Sequence, residues 1–215
     1  MNNPLYIHLS PMSTTMVEGE EYIEYDRHSH WFGYPVMPED FPLPQDSAGN
    51  PLGFICQIDC REIPAEENKL PHEGMLYIFA DLDYYAGVDG DPMPMYSSAD
   101  WIRVIYLNEK QLVNLSVRDD DRFGNVFEPV KISLNYNKPT CDEPEHHLLG
   151  EPEHREWDDW DKPYGGWRLL FQMDSCDGSD YHFNFLDWGV FNILISPDNL
   201  KNHDYDNVVG IILST

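Results

Sequence analysis

The sequence predicts a mostly β fold of the α+β class, built from two related β-rich halves with a few short helices. Three observations carry that expectation. A strand-like run is written twice: Leu52-Gly-Phe-Ile-Cys-Gln57-Ile-Asp59 returns as Trp167-Arg-Leu-Leu-Phe-Gln172-Met-Asp174, an offset of 172 − 57 = 115 residues. Gly74-Met-Leu-Tyr-Ile-Phe79 returns at the same offset as Gly189-Val-Phe-Asn-Ile-Leu194. A third apolar run follows in each half, Trp101 to Leu107 and Val208 to Ser214, with Val104-Ile105 matching Gly210-Ile211 at an offset of 106. Runs that keep one register across separate segments indicate an internal duplication. The chain of 215 residues is read as a single domain over 1–215. Its first half spans 33–108, a bridging segment 109–149 and the second half 150–215.

In chain order, residues 1–32 are mixed, and Met16 to Tyr25 reads as an acidic strand anchored by Val17 and Ile23. Gly33 to Pro51 is rich in proline (Pro35, Pro38, Pro42, Pro44). Proline fixes φ and removes a backbone donor, which excludes regular helix and central strand there. The same stretch holds Tyr34 and Phe41 next to Trp31 and Phe32, so an ordered arm lying on the core is expected. In the first repeat, Leu52, Phe54, Cys56 and Ile58 should face one way and Ile55 and Gln57 the other, as in a strand covered on both sides. Asp59 to Leu70 reads as a connection with one helical turn at 61–66, Met75 to Ala80 as the second strand, and Asp81 to Asp100 as a loop. Val130 to Tyr136 alternates as a strand with one wet face should. Asp142 to Leu149 reads as a short helix, capped by Asp142 and stopped by Gly150. Ser196-Pro197-Asp198-Asn199-Leu200 begins another, with a serine cap, proline at the first helical position and an acid in the first turn.

The charge balance is far to one side. Thirteen Lys and Arg stand against 39 Asp and Glu, a formal charge of −26. Such a surface repels phosphate backbones, so nucleic acid and anionic membrane are not expected as partners, whereas a basic protein is. The start Met1-Asn-Asn-Pro-Leu-Tyr-Ile-His8 lacks the basic and apolar regions of a signal peptide, and no apolar run approaches the roughly 20 residues that span a bilayer. A cytoplasmic setting with free thiols is expected.

The residues of both halves resemble a known family. Gly33-x-Pro35-x-x-Pro38, Phe41-Pro42, Pro51-Leu52-x-Phe54-x-x-Gln57-x-Asp59, Leu70-Pro71 and Gly74-x-Leu76-x-x-Phe79 look like the N-terminal signature of the YwqG-like family. His147-Leu-Leu-Gly150-x-Pro152, Leu169-Leu-Phe-Gln172-x-Asp174 and Asp187-Trp188-Gly189 look like its C-terminal signature. This is a bacterial domain of unknown function. The resemblance implies a mostly β fold with related halves and brings no catalytic residues. It covers about Gly33 onward, and Phe41-Pro42 departs from the family's Trp-Pro.

Four residues are candidate ligand contacts: Gln57, Gln172, Asp187 and Trp188. The two glutamines sit inside apolar strands at equivalent places, and a buried amide must find partners. They form either a pseudo-symmetric ligand site or two amides that hold loop backbone. The second reading is preferred, because catalytic groups rarely need identical copies. Asp187-Trp188-Gly189 either presents a carboxylate in a cleft or turns the chain into a strand, and the turn is preferred. No metal and no cofactor is expected. Asp81, Asp83, Asp89 and Asp91 do not follow the EF-hand pattern. Cys56, Cys60, Cys141 and Cys176 are scattered, and His146, His147 and His154 lack a zinc spacing. No nucleophile elbow, P-loop or dinucleotide fingerprint occurs. Two functions follow. One is a protein-interaction or regulatory module, of the immunity type or otherwise, for a basic partner. The other is an enzyme or small-ligand binder with a cleft between the halves.

Overall fold

A computed structural model of the chain describes residues 3–86, 96–97, 101–120, 127–140, 144–151, 164–177, 182–186 and 188–213. The chain begins with β1 (Leu5–Pro11), whose first three residues are buried. It then forms an exposed hairpin of β2 (Thr14–Val17) and β3 (Glu20–Ile23). Two short strands, β4 (His30–Trp31) and β5 (Val36–Pro38), precede β6 (Gly53–Asp59) and β7 (Met75–Ala80), both buried almost throughout. Helix α1 (Leu82–Ala86) leads to β8 (Tyr96–Ser97) and β9 (Ile102–Leu107). Next come β10 (Leu115–Val117), β11 (Val130–Asn135), β12 (His147–Leu148) and β13 (Arg168–Asp174). The chain closes with β14 (Cys176–Asp177), β15 (His182–Phe183), β16 (Val190–Ile195), helix α2 (Pro197–Asn202) and β17 (Val208–Leu213).

Eleven of these strands make one sheet in the order β8-β17-β16-β13-β12-β1-β11-β4-β6-β7-β9. The far strands β17 and β9 come back beside each other, so the sheet curls until it is nearly closed. With β8 set aside, the order reads alike from both ends: β17-β16-β13-β12-β1 against β9-β7-β6-β4-β11. The registers agree as well. Gln57 faces Tyr77 and Gln172 faces Asn192, and the ladder slips between Phe54 and Cys56 in one half and between Leu169 and Phe171 in the other. Each bulged residue accepts a backbone hydrogen bond from the segment after the neighbouring short strand. Phe32 N donates to Ile55 O at 2.7 Å, and Leu149 N to Leu170 O at 3.1 Å. Phe32 and Leu149 both have positive φ, 57° and 58°, and each precedes a glycine with positive φ. Left-handed backbone is uncommon for such residues, and both halves adopt it at the equivalent place.

The main core fills the inside of the curl. Leu5, Trp31, Ile55, Ile78, Phe171, Phe191 and Ile212 belong to it, from both halves and from the central strands. Two smaller clusters lie on the outer face. Met37 and Leu43 of the proline-rich arm cover Phe54, Tyr77, Phe79 and Leu107. Trp167 and Tyr164 pack against Leu169, Leu194 and Leu213. The arm is therefore ordered as expected, with β5 paired to β10.

Several expectations change. Met16 to Tyr25 is two strands around a Glu18-Gly19 turn, because Gly19 takes a φ of 91° and reverses the chain. Strand β6 does not alternate throughout. Its bulge puts Phe54 on the outer face with Tyr77, while Cys56 and Ile58 point into the main core. No helix ends at Leu149: His147 and Leu148 are β12, held between β1 and β13. A cap and a glycine stop signalled helix, but sheet pairing and complete burial of this dipeptide overrode them. Asp81 to Asp100, expected as a loop, holds helix α1. Helix α2 forms as expected, with Ser196 Oγ accepting from Asn199 N at 3.1 Å.

Candidate functional site

Gln57 and Gln172 are both fully buried. On the outer face of β6, Gln57 Oε1 accepts from Val36 N at 2.8 Å, and its Nε2 donates to Asp26 O at 3.0 Å and His28 O at 2.9 Å. One amide thus ties the arm and the segment before β4 to the sheet. Tyr77, opposite it in the ladder, donates its hydroxyl to Val36 O at 2.8 Å. Gln172 Nε2 donates to Glu145 O at 2.9 Å, the matching segment before β12. These amides hold loop backbone. Replacing Gln57 with leucine strands one donor and two acceptors, and should cost roughly 1–3 kcal/mol. Urea unfolding of Gln57→Leu beside wild type measures this, and an unchanged midpoint would contradict the assignment.

Asp187 lies outside the described residues. Trp188 is exposed and has a φ of 55°, and its N donates to Asn184 Oδ1 at 2.8 Å, within a turn that the Phe185–Gly189 bridge closes. The two glutamines sit in separate halves of the sheet, on strands with four others between them.

Sequence reasoning missed the most elaborate polar cluster, which surrounds Asp59 at the end of β6. The Asp59 side chain is 1% exposed, and Arg27 Nε lies 3.2 Å from its Oδ2. Arg61 N and Nε donate to Oδ1 at 3.1 and 3.0 Å, and Arg61 Nη2 bonds Oδ2. Arg27 also clamps Glu109 through two bonds of 3.1 and 2.8 Å, and Glu109 accepts from Gly74 N at 3.1 Å. Burial acts to raise the Asp59 pKa, but the Arg61 hydrogen bonds and the Arg27 charge outweigh it and hold the carboxyl below its usual range. The Arg27 bonds, followed by the Gly74 N–H, bring Glu109 down to about 2. Both acids are ionised and occupied by cations, so the cluster joins four chain segments, at Arg27, Asp59–Arg61, Gly74 and Glu109, and has no free base to offer. A clue was in the sequence, since Asp59 recurs as Asp174.

The second half handles that position differently. Asp59 N donates to Ser29 Oγ at 2.9 Å, whereas Asp174 N donates to His146 Nδ1 at 3.0 Å. His146 is buried beside Trp31, ring centroids 4.9 Å apart. Burial pushes its pKa down to about 3, with the neighbouring His147 adding to the effect. His30 and His147 are lowered by burial too. His146 Nδ1 accepts from the Asp174 backbone, and His147 Nδ1 donates to the Leu149 carbonyl at 2.7 Å; the two ring nitrogens of His30 face the His28 and Tyr34 carbonyls, contacts that favour its charged form and are outweighed by burial. His154 lies outside the described residues.

No group of three or more potential metal ligands converges among the described residues. Asp81 Oδ1 accepts from Tyr84 N at 3.0 Å and so caps α1, while Asp89 and Asp91 lie outside the described residues. Cys56, Cys60 and Cys176 are buried free thiols, and burial raises the pKa of Cys60 to about 12; Cys141 lies outside the described residues. Residues of both halves, among them Ile78 and Val104 of one and Phe171 and Ile212 of the other, share the main core.

The surface is different at the β2–β3 hairpin. Residues 12–26 carry Glu18, Glu20, Glu21, Glu24 and Asp26 and no lysine or arginine. Met16 is 66% exposed, Val17 50% and Tyr22 49%. Beside the hairpin runs an open groove of about 500 Å³, lined by Pro11, Met12, Thr14, Glu21, Ile23, Glu128, Pro129 and Val130.

A family model described as a domain of unknown function (DUF1963) matches residues 29–138 and 118–212. No curated protein matches the chain.

Proposed function

The chain belongs to this family of unknown function (DUF1963), and from that premise we propose that the protein is a protein-interaction or regulatory module whose partner is a basic protein. One observation carries the reading. The polar side chains that recur inside the strands hold backbone, so the chemistry left for a partner is the acidic exterior of a chain with a formal charge of −26. Complementary charge accelerates encounter and selects partners, and it disfavours nucleic acid and anionic lipid. A cytoplasmic setting belongs to the same proposal; for its part, no described helix is long and apolar enough to cross a membrane. The matching registers and the two family matches support an origin by duplication, and the motifs of both halves support kinship with YwqG-like proteins.

The test is affinity capture from native lysate, washed at about 50 and about 500 mM salt, with identification of what is retained; exposed charge pairs are screened within about 8 Å at physiological ionic strength. The expected result is a discrete basic protein lost at high salt. Retention of only neutral or acidic proteins would overturn the reading.

A further inference from the structure

We propose that the groove beside the β2–β3 hairpin is the docking site for an extended basic segment of the partner, with apolar and Lys or Arg side chains alternating. This rests on the reading above and locates its contact. Thr14 pairs with Ile23 and Met16 with Glu21, and side chains two apart in a strand share a face. One face of the hairpin therefore presents Thr14, Met16, Glu21 and Ile23, and it continues into the groove walled by Pro11, Met12 and Pro129.

Acids on an exposed ribbon serve to prevent edge pairing. That role needs the charges but works against Met16, which adds exposed apolar surface on the groove side of the ribbon. Among the described residues no third strand joins β2 or β3, and a lone two-stranded ribbon is marginally stable in water. A partner segment laid in the groove covers the apolar side chains of Met12 and Ile23 on this face. Charge fixes the occupant. Glu21 and Glu128 line the groove. A lysine or arginine can lay its aliphatic stem on Met12 and Ile23 and carry its head to these carboxylates. A second copy of this chain is disfavoured, because it would bring another −26 to an acidic ribbon. Lys131 lines a separate small cleft with Glu24 and Asp26 at the hairpin's base.

The experiment is fluorescence anisotropy with a labelled decapeptide of alternating valine and lysine, titrated with the full chain at low salt. The variants are Glu21→Lys/Glu128→Lys in the groove and Glu39→Lys/Glu66→Lys as an equal charge change on exposed sites elsewhere. Met16→Ser adds an uncharged probe of the apolar face. Melting curves confirm that each variant is folded. Expected are saturable binding to wild type, a loss of about tenfold or more for the groove pair, a loss of less than about threefold for the control pair, and a measurable loss for Met16→Ser. Equal losses in the two pairs would overturn the groove while leaving a basic partner in place. No binding of the peptide to wild type would overturn both.

Discussion

Lowering the pH from 7 to 5 is expected to destabilise the protein steeply, and His146→Gln is expected to flatten that dependence. His146 is buried against Trp31, and its Nδ1 accepts the Asp174 N–H, so it is held neutral with its pKa pushed down to about 3. In the unfolded chain a histidine takes up a proton near pH 6.5. The stability due to neutral burial is therefore complete above about 6.5 and is lost as pH falls towards 3. The loss approaches about 1.4 kcal/mol per pH unit for each such histidine. His30 and His147 are shifted in the same direction by burial, so their losses add. Between pH 6.5 and 5, His146 alone is expected to remove about 2 kcal/mol. Urea unfolding at pH 7, 6 and 5 measures the slope. A glutamine at 146 accepts the Asp174 N–H without titrating, so this variant should be weaker at pH 7 but lose less on acidification. The same slope in variant and wild type would show that His146 is not the group responsible.

A second large effect is expected at the contact between α1 and β17. A Cβ added at Gly210 would stand 2.1 Å from the Tyr85 hydroxyl. Tyr85 is 1% exposed, and its ring lies 4.4 Å from that of Phe191. Both rings are buried, so relieving the clash must shift packed core, and Gly210→Val should cost about 3 kcal/mol, the upper part of the range for overpacking. Tyr85→Leu should cost about 1–3 kcal/mol through the cavity it leaves. The double variant should cost less than the sum by at least about 1 kcal/mol, since each change relieves the other. The shared register of the two halves supplies the rationale. In the other half the counterparts of Tyr85 and Gly210 are Leu200 and Val104, so the double variant installs residues already used at the equivalent positions. Strict additivity in chemical unfolding would mean that the two sites do not share one space.

The core strands were legible because each combined an apolar run with a repeated register. Met75–Ala80 and Val190–Ile195 lie where the repeat puts them. Helix α1 was just as legible and was missed. The offset of 115 carries Asp81 onto the cap Ser196 and Tyr85 onto the buried Leu200, and the cap bonds agree: Tyr84 N to Asp81, Asn199 N to Ser196. Extending the register by a few residues would have found it. β12 was not readable locally, because a two-residue strand has no period and is fixed only by β1 and β13 on either side. The bulge in β6 was hidden for the opposite reason, since Ile55 and Cys56 are both apolar and suit either face. Of the candidate site, burial of Gln57 and Gln172 followed from an amide standing inside an apolar strand. Arg27 and Glu109 joining Asp59 did not, as that contact spans separations only the fold brings together.

The position of β1 has a consequence for synthesis. This strand sits at the centre of the sheet, between β11 and β12, yet it leaves the ribosome long before either. Its first ladder partner is Val130, opposite Pro11, and at about 5–20 residues per second the wait is roughly 6–24 s. During that interval β4, β6, β7 and β9 can pair among themselves while Leu5, Tyr6 and Ile7 remain without their neighbours. Joining the halves through the centre of the sheet therefore requires capture of this early strand by later ones, and the nascent chain must keep it available until they arrive.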